Sequence, residues 1–215
     1  MVEKIILKSR EEWLKSRTRI GGSESSAVVG MNPYLTNIGL WELKTGRRTA
    51  DDISEKPYVK YGTEAEKHLR ELFKLDFSQY QVFYEENNMF LNDKYPFAHV
   101  SLDGWLIDDK GRKGVWECKT TNILQSMQKE KWEKDKMPDN YYIQCLHEMM
   151  VYEADFCVLK AQLKSEFDGN VYLQTKHYFI ERSDVEEDIK YLEEEERKFW
   201  GYVESDKRPP LKFNF

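Results

Sequence analysis

The sequence predicts a mixed α/β fold, an α+β arrangement in which a central mixed β-sheet is flanked by helices. Three observations lead there. Three or four extended segments lie between residues 80 and 119, separated by turns rich in Asn, Asp, Pro and Gly. Helical patterns precede them, and two more helices, a strand pair and one long helix follow, an order that packs helices on a sheet. The 215 residues are 40% hydrophobic and 14% aromatic, enough for one substantial core.

Each element has a local cause. Ser9-Arg10-Glu11-Glu12 has the form of a capping box and starts a short helix carrying Trp13. Gly21-Gly22-Ser23 breaks the chain, and Ser23 is expected to cap a second helix that runs through Val29 and ends at Gly30. Asn32-Pro33-Tyr34 is a turn, Thr36 or Asn37 opens a helix through Leu40, Trp41 and Leu43, and Gly46 stops it. Residues 47–58 are a polar loop. A strong helix is expected from Gly62 to about Leu75, with Ala65, Leu69, Leu72 and Phe73 on one face. Strands follow at about 80–86, 88–91, 97–108 and 113–119, then a helical pattern over roughly 122–134. Pro138 suits the first position of a helix bearing Tyr141, Gln144, Cys145, Met149 and Val151. Strands at about 155–163 and 171–180 flank a turn at Gly169-Asn170. Ser183-x-x-Glu186 is a second capping box, for the last helix, and Pro209-Pro210 begins an extended tail. The whole, 1–215, is expected to be one domain: N-terminal helices 9–46, a core 60–180 and an acidic helix 183–204.

Composition removes several classes of function. No stretch approaches the ~18 apolar residues of a membrane span. The start, Met1-Val2-Glu3-Lys4, is too charged for a signal peptide, so a cytoplasmic location is expected. Cys118, Cys145 and Cys157 form no C-x-x-C pair and suit buried, reduced thiols. There is no G-x-x-x-x-G-K and no G-x-G-x-x-G. The net charge of −6 hides a gradient. Acid concentrates in the C-terminal helix, while Arg10, Lys15, Arg17, Arg19, Lys44, Arg47 and Arg48 lie near the start, so a basic groove on an acidic protein is physically reasonable.

The chemistry concentrates in Ser101-Leu102-Asp103-Gly104 and Glu117-Cys118-Lys119. In a strand Glu117 and Lys119 share a face while Cys118 points to the other. A hairpin brings Asp103 beside Glu117, giving two carboxylates and an ammonium in a small volume. Two carboxylates suit Mg²⁺, and a lysine beside them can orient or deprotonate a water, which are the requirements of phosphodiester hydrolysis. The bland alternative is a charged face of a half-exposed hairpin. Against it, Glu117 follows Gly114-Val115-Trp116 in a largely apolar strand, where an unpaired charge is costly. Glu66, one turn from both Gly62 and Arg70, offers a third acid. His68, His99, His147 and His177 have no metal-ligand spacing and are taken as structural.

In these residues the chain resembles the YqaJ-type viral recombinase nucleases, relatives of phage lambda exonuclease within the PD-(D/E)xK superfamily, whose core is restriction-endonuclease-like. The resemblance runs from about Trp13 to Val158. Its pieces are Arg17 with Ile20-Gly21-Gly22-Ser23 through Gly30-Met31-Asn32-Pro33-Tyr34, then Leu40-Trp41 with Lys44-Thr45-Gly46, then Gly62 with Glu66. The Asp103 and Glu117-Cys118-Lys119 segments and Tyr141 with Gln144, Met149 and Val151 complete it.

The resemblance implies that Glu66, Asp103, Glu117 and the backbone carbonyl of Cys118 bind Mg²⁺, with Mn²⁺ as a substitute and two ions per site. Lys119 would position the attacking water, and Gln144 would orient the site. Arg17 or Arg19, with Ser23, would hold a 5′ phosphate. The activity implied is a 5′ to 3′ double-strand DNA exonuclease that leaves 3′ single strands, working as a trimeric ring with a phage single-strand annealing protein and no membrane. A repair or site-specific endonuclease and a non-catalytic DNA-binding protein on the same fold are the alternatives. Two departures stand out: Leu102 where the family usually has Pro, and Leu146 where many relatives carry a second Gln.

Overall fold

The computed structural model describes residues 1–213. The chain opens with β1 (Val2–Ile6) and three short helices, α1 (Arg10–Ser16), α2 (Gly22–Val28) and α3 (Asn37–Lys44). Ser9 Oγ accepts the Glu12 N–H at 3.1 Å to start α1, and Thr36 Oγ1 accepts the Gly39 N–H at 3.0 Å to start α3. Between α2 and α3, Asn32 Oδ1 accepts the N–H groups of Tyr34 and Leu35 and makes the turn. Next come α4 (Pro57–Asp76), β2 (Gln81–Phe83), β3 (Asn88–Asn92), β4 (Gly104–Ile107) and β5 (Lys113–Ile123). The chain continues through α5 (Ser126–Glu130), α6 (Asp139–Tyr152), β6 (Phe156–Phe167), β7 (Asn170–Glu181) and α7 (Arg182–Glu204).

Five strands form a mixed sheet in the order β2-β4-β5-β6-β7, with β5 and β6 parallel and the other neighbours antiparallel. β1 and β3 make a separate antiparallel pair. Strand alternation divides the core in two. On one face Leu106, Trp116, Cys118, Phe156 and Val158 pack against Leu69 and Phe73 of α4. On the other, Val115, Cys157, Leu159, Ala161 and Leu163 join α6, α2, α3 and α7 in the larger core. Each fully buried large apolar side chain contributes roughly 1.5–3 kcal/mol. Lys160, buried on the α4 face, donates to the Leu69 carbonyl at 3.0 Å, which satisfies it there.

The departures from expectation cluster at element ends. β1 was not among the expected strands; it is half charged and acquires its partner only in β3, more than eighty residues away. α2 is capped at Gly21, whose N–H is accepted by Glu24 Oε2 at 2.9 Å, so Ser23 sits inside the first turn and is not the cap. α4 begins at Pro57 rather than Gly62, because proline is well suited to a first turn. Gly62 lies inside that helix, where a Cβ would stand 3.0 Å from Thr120 Oγ1, so its smallness serves close approach to β5. The segment 97–103 leaves a turn at Phe97 and makes only single bridges, Ile20 with Ala98 and Phe90 with Val100, and the ladder starts at Gly104. The helix expected over 122–134 shrinks to α5, since β5 continues to Ile123 beside β6. Pro138 is the N-cap of α6 rather than its first residue. α7 starts at Arg182 with Glu181 at its N-cap, so Ser183 does not cap it, and its hydroxyl turns to Asp184 instead.

Candidate active site

Asp103 is set by its neighbours. The buried Asn88 side chain takes the Leu102 N–H at 2.8 Å and donates to the Leu102 carbonyl at 2.9 Å. That pairing needs an N–H at residue 102, which proline would not supply, so here Leu102 does a positional job of its own. The antiparallel register pairs Gly104 with Trp116, which places Asp103 opposite Glu117. Asp103 Oδ2 then accepts the Cys118 N–H at 3.0 Å. The Asp103 charge lies close enough to the Glu117 carboxyl to oppose its ionisation. Glu117 and Lys119 share a face of β5, with Lys119 Nζ 2.6 Å from Glu117 Oε1 and 5.1 Å from the centre of the Tyr141 ring. Cys118 points to the α4 side, as alternation requires.

Glu66 reaches the site from α4. Arg70, one turn on, donates to Glu66 Oε1 at 2.9 Å and to the Asp103 carbonyl at 2.7 Å, so one guanidinium ties the helix to the strand. Its other face lies 3.6 Å from the centre of the Tyr84 ring. From α6, Gln144 Nε2 donates to Glu117 Oε1 at 2.7 Å and to Glu148 Oε1 at 2.8 Å.

The electrostatics are those of crowded acids. Burial, reinforced by Asp103, pushes the Glu117 carboxyl up to about 8 and that of Glu66 to about 7. Burial also raises Asp103, against the pull of Lys119, the Cys118 N–H and Arg70. Burial and Glu117 raise Glu148 well above the carboxylate range. Burial disfavours the Lys119 charge, but Glu117 and Asp103 outweigh it and hold the ammonium protonated.

A divalent cation suits this donor set. Asp103 and Glu117 are two like charges that oppose each other, and hard carboxylate oxygens are the ligands Mg²⁺ prefers. Among the described residues no three His, Cys, Asp or Glu side chains hold an ion by themselves. That matches the usual Mg²⁺ pattern of one or two carboxylates completed by waters and substrate oxygens.

Above these groups opens a cleft of about 340 Å³ lined by Arg10, Trp13, Arg17, Ser23, Glu66 and Asp103, with Gln144 and Glu148 at the α6 side. Arg17 stacks over the Trp13 ring at 4.7 Å, and Trp13 Nε1 donates to Ser101 Oγ at 2.8 Å. Arg17 and Ser23 therefore share a wall with the acids, whereas Arg19 is not among the lining residues. Much of the remaining basic cluster is engaged elsewhere. Lys44 is buried against Glu24 at 2.7 Å, Arg47 pairs with Asp206 at 2.6 Å, and Lys15 pairs with Glu11 at 2.7 Å.

Several lining residues carry no role in the sequence expectations for the site, among them Arg10, Tyr84, Asn88, His99 and Glu148. Glu148 carried a usable signal, a charged residue one helical turn after Gln144 and directly before the apolar run Met149-Met150-Val151. His99 is buried in the cleft wall, and its Nδ1 has no hydrogen-bond partner among the described residues.

The sequence and the fold have known counterparts. Residues 12–155 match the YqaJ-like viral recombinase domain. Protein YqaJ of Bacillus subtilis (strain 168), described as uncharacterized, is 28% identical over 195 residues; the match covers 90% of this chain and 56% of that protein's length. The fold is similar to the alkaline exonuclease LHK-Exo from Laribacter hongkongensis, with a TM-score of 0.66 at 19% identity over 91% of this chain and 93% of that one. It is also similar to a phage-related exonuclease from Haemophilus somnus 129PT, with a TM-score of 0.54 at 14% identity over 87% and 96% of the two chains. With two thirds of its residues matched to one domain, and the acid cluster inside the matched span, the chain belongs to the YqaJ-like viral recombinase domain family.

Proposed function

We propose that this protein is a metal-dependent double-strand DNA exonuclease that digests 5′ to 3′, leaves 3′ single strands and serves phage-type recombination. One observation carries the reading: Glu66, Asp103, Glu117 and Lys119 converge beside the cleft that Arg17 and Ser23 line. The family membership and the exonuclease folds support it, as does the existence of an LHK-Exo complex with dAMP, a mononucleotide.

Glu66, Asp103, Glu117 and the Cys118 carbonyl would between them hold two Mg²⁺ ions, each taking one or two carboxylates and completed by water and substrate oxygens. When bound, the ions supply Lewis-acid stabilisation of the phosphate charge and lower the pKa of water. The residues of the chain do the rest. Lys119, held as an ammonium, donates to and orients the attacking water and steadies developing negative charge; it is not the base. Gln144 holds Glu117 in place through its N–H. Arg17 and the Ser23 hydroxyl meet the terminal 5′ phosphate with charge-assisted hydrogen bonds. Water adds to phosphorus, the bond from phosphorus to the 3′ oxygen breaks, and that oxygen leaves with a proton. The family resemblance extends this reading to a trimeric ring and an annealing-protein partner, which light scattering and co-purification test.

The deciding assay offers linear, nicked and covalently closed circular duplexes with Mg²⁺ or EDTA. Digestion of linear DNA alone, with Mg²⁺ alone, is expected. Cutting of closed circles points to the endonuclease alternative, and binding without hydrolysis to a non-catalytic protein.

A further inference from the structure

We propose that Glu148 is a positioning residue: it orients the Gln144 amide so that its NH₂ group faces Glu117. This rests on the nuclease reading of the cleft. Glu148 is 1% exposed, yet it lines the cleft wall. Its Oε1 accepts from Gln144 Nε2 at 2.8 Å, and the same nitrogen reaches Glu117 Oε1 at 2.7 Å. An amide nitrogen carries two N–H groups. Each has one carboxyl acceptor here, so the amide cannot flip without turning its oxygen onto two carboxyl oxygens. Glu148 and Gln144 are one turn apart on α6, so the helix itself fixes their relation.

The surroundings are shaped for this side chain. A Cβ at Gly22 would stand 2.9 Å from Glu148 Oε1 and 3.3 Å from Gln144 Cγ, so glycine keeps the space open. Among the described residues Glu148 Oε2 has no hydrogen-bond partner. A buried polar atom without a partner destabilises the fold, so packing alone gives no reason for a carboxyl here. Nor do Glu117 and Glu148 form a cation cage, because the Gln144 N–H groups occupy the space between them. What remains is the bond to Gln144. Glu117 Oε1 receives two donors, Gln144 and Lys119, and without Glu148 the first is free to rotate away.

The test compares the full chain with E148Q, E148M, Q144A and the double variant E148M/Q144A. The readouts are digestion of 5′-phosphorylated linear duplex across Mg²⁺ concentrations, thermal melting, and the Gln144 side-chain amide signals in NMR without metal or DNA. E148Q keeps a carbonyl acceptor and should stay close to wild type in rate and amide shift. E148M should melt cooperatively, lose activity by about 10- to 100-fold, and move the Gln144 amide signals toward solvent-exposed values. The double variant should be no worse than Q144A, because both changes break one link. E148L serves as a second apolar variant should E148M misfold. Wild-type activity in E148M, multiplied losses in the double variant, or unmoved Gln144 signals would overturn the proposal. A wild-type chain that digests no DNA would defeat the nuclease reading, while the amide signals would still decide the Glu148–Gln144 link.

Discussion

Lowering the pH from 7 to 5 should remove about 2 kcal/mol of folding stability through His99 alone. Burial pushes the His99 imidazole down to about 3, and the positive charges of Arg17, His147, Lys44 and Arg19 push the same way. The carboxylate of Glu24 also borders this corner, but it is engaged by Lys44 and the Gly21 N–H. An unfolded histidine titrates near 6.5. Between 6.5 and 3 the unfolded chain therefore binds a proton that the folded chain refuses, and stability falls as pH falls, by about 1.4 kcal/mol per unit. The raised carboxyls of Glu66 and Glu117 have the opposite sign. They take up protons on folding, so the metal-free fold gains stability as pH drops from about 8 toward the unfolded carboxylate range. A difference measurement separates the two. Urea unfolding of the wild type and of His99→Gln, followed by tryptophan fluorescence in EDTA at pH 7 and pH 5, cancels the carboxyl contribution common to both. The wild type should lose about 2 kcal/mol more than the variant over that interval. Equal losses would mean that His99 is protonated in the fold without penalty, and the account of a cleft wall built on a neutral imidazole would fail.

Asp103→Asn and Glu117→Gln should each lower hydrolysis by at least about 100-fold, measured by release of acid-soluble nucleotide, while melting remains cooperative. Glu117→Gln should also melt higher than wild type at pH 8 without metal, since it removes an acid whose charge the fold disfavours. Lys119→Met should bind DNA in a gel-shift assay yet turn over slowly, because on the proposed function the lysine acts on water and charge and is not a metal ligand; loss of metal binding, read by calorimetry, would contradict that role. The wild type should digest 5′-phosphorylated ends faster than 5′-hydroxyl ends at low salt, and Arg17→Ala should erase the preference; equal rates in the wild type would remove the phosphate pocket.

The elements that the sequence made legible are those whose signals are local. Ser9 and Thr36 cap their helices, the three cysteines are buried and free, and alternation in β5 puts Glu117 and Lys119 together and Cys118 behind them. Strand boundaries failed where partners come from afar. β5 runs four residues past Lys119 because β6 lies beside it, and nothing in Thr120-Thr121-Asn122-Ile123 announces that. Helix starts failed where two signals competed. Gly21 with Glu24 outbid Ser23, and Pro57 outbid Gly62. The site was legible as a set of acids, but its fastening was not. Asn88 on Leu102, Arg70 on the Asp103 carbonyl and Gln144 between two glutamates are long-range contacts made by residue types that occur all along the chain.

These fastenings explain how so many acids persist beside one another. Glu117 and Glu148 are buried and Asp103 and Glu66 are partly so, with Lys119 and Arg70 as the cations in direct contact among the described residues. Without metal the excess is settled by protons, since burial and mutual repulsion raise the pKa values of the Asp103, Glu117 and Glu66 carboxyls. Such a cluster destabilises the fold unless the surrounding packing over-determines it. The clamp on Leu102, the Arg70 tie and the β5–β6 ladder supply that rigidity from three directions. On the proposed function the same repulsion is useful. A cation that displaces protons from these carboxyls removes the penalty as it binds, so metal affinity and proton release are two sides of one electrostatic account. The folded chain then presents pre-positioned oxygens whose main unmet need is positive charge.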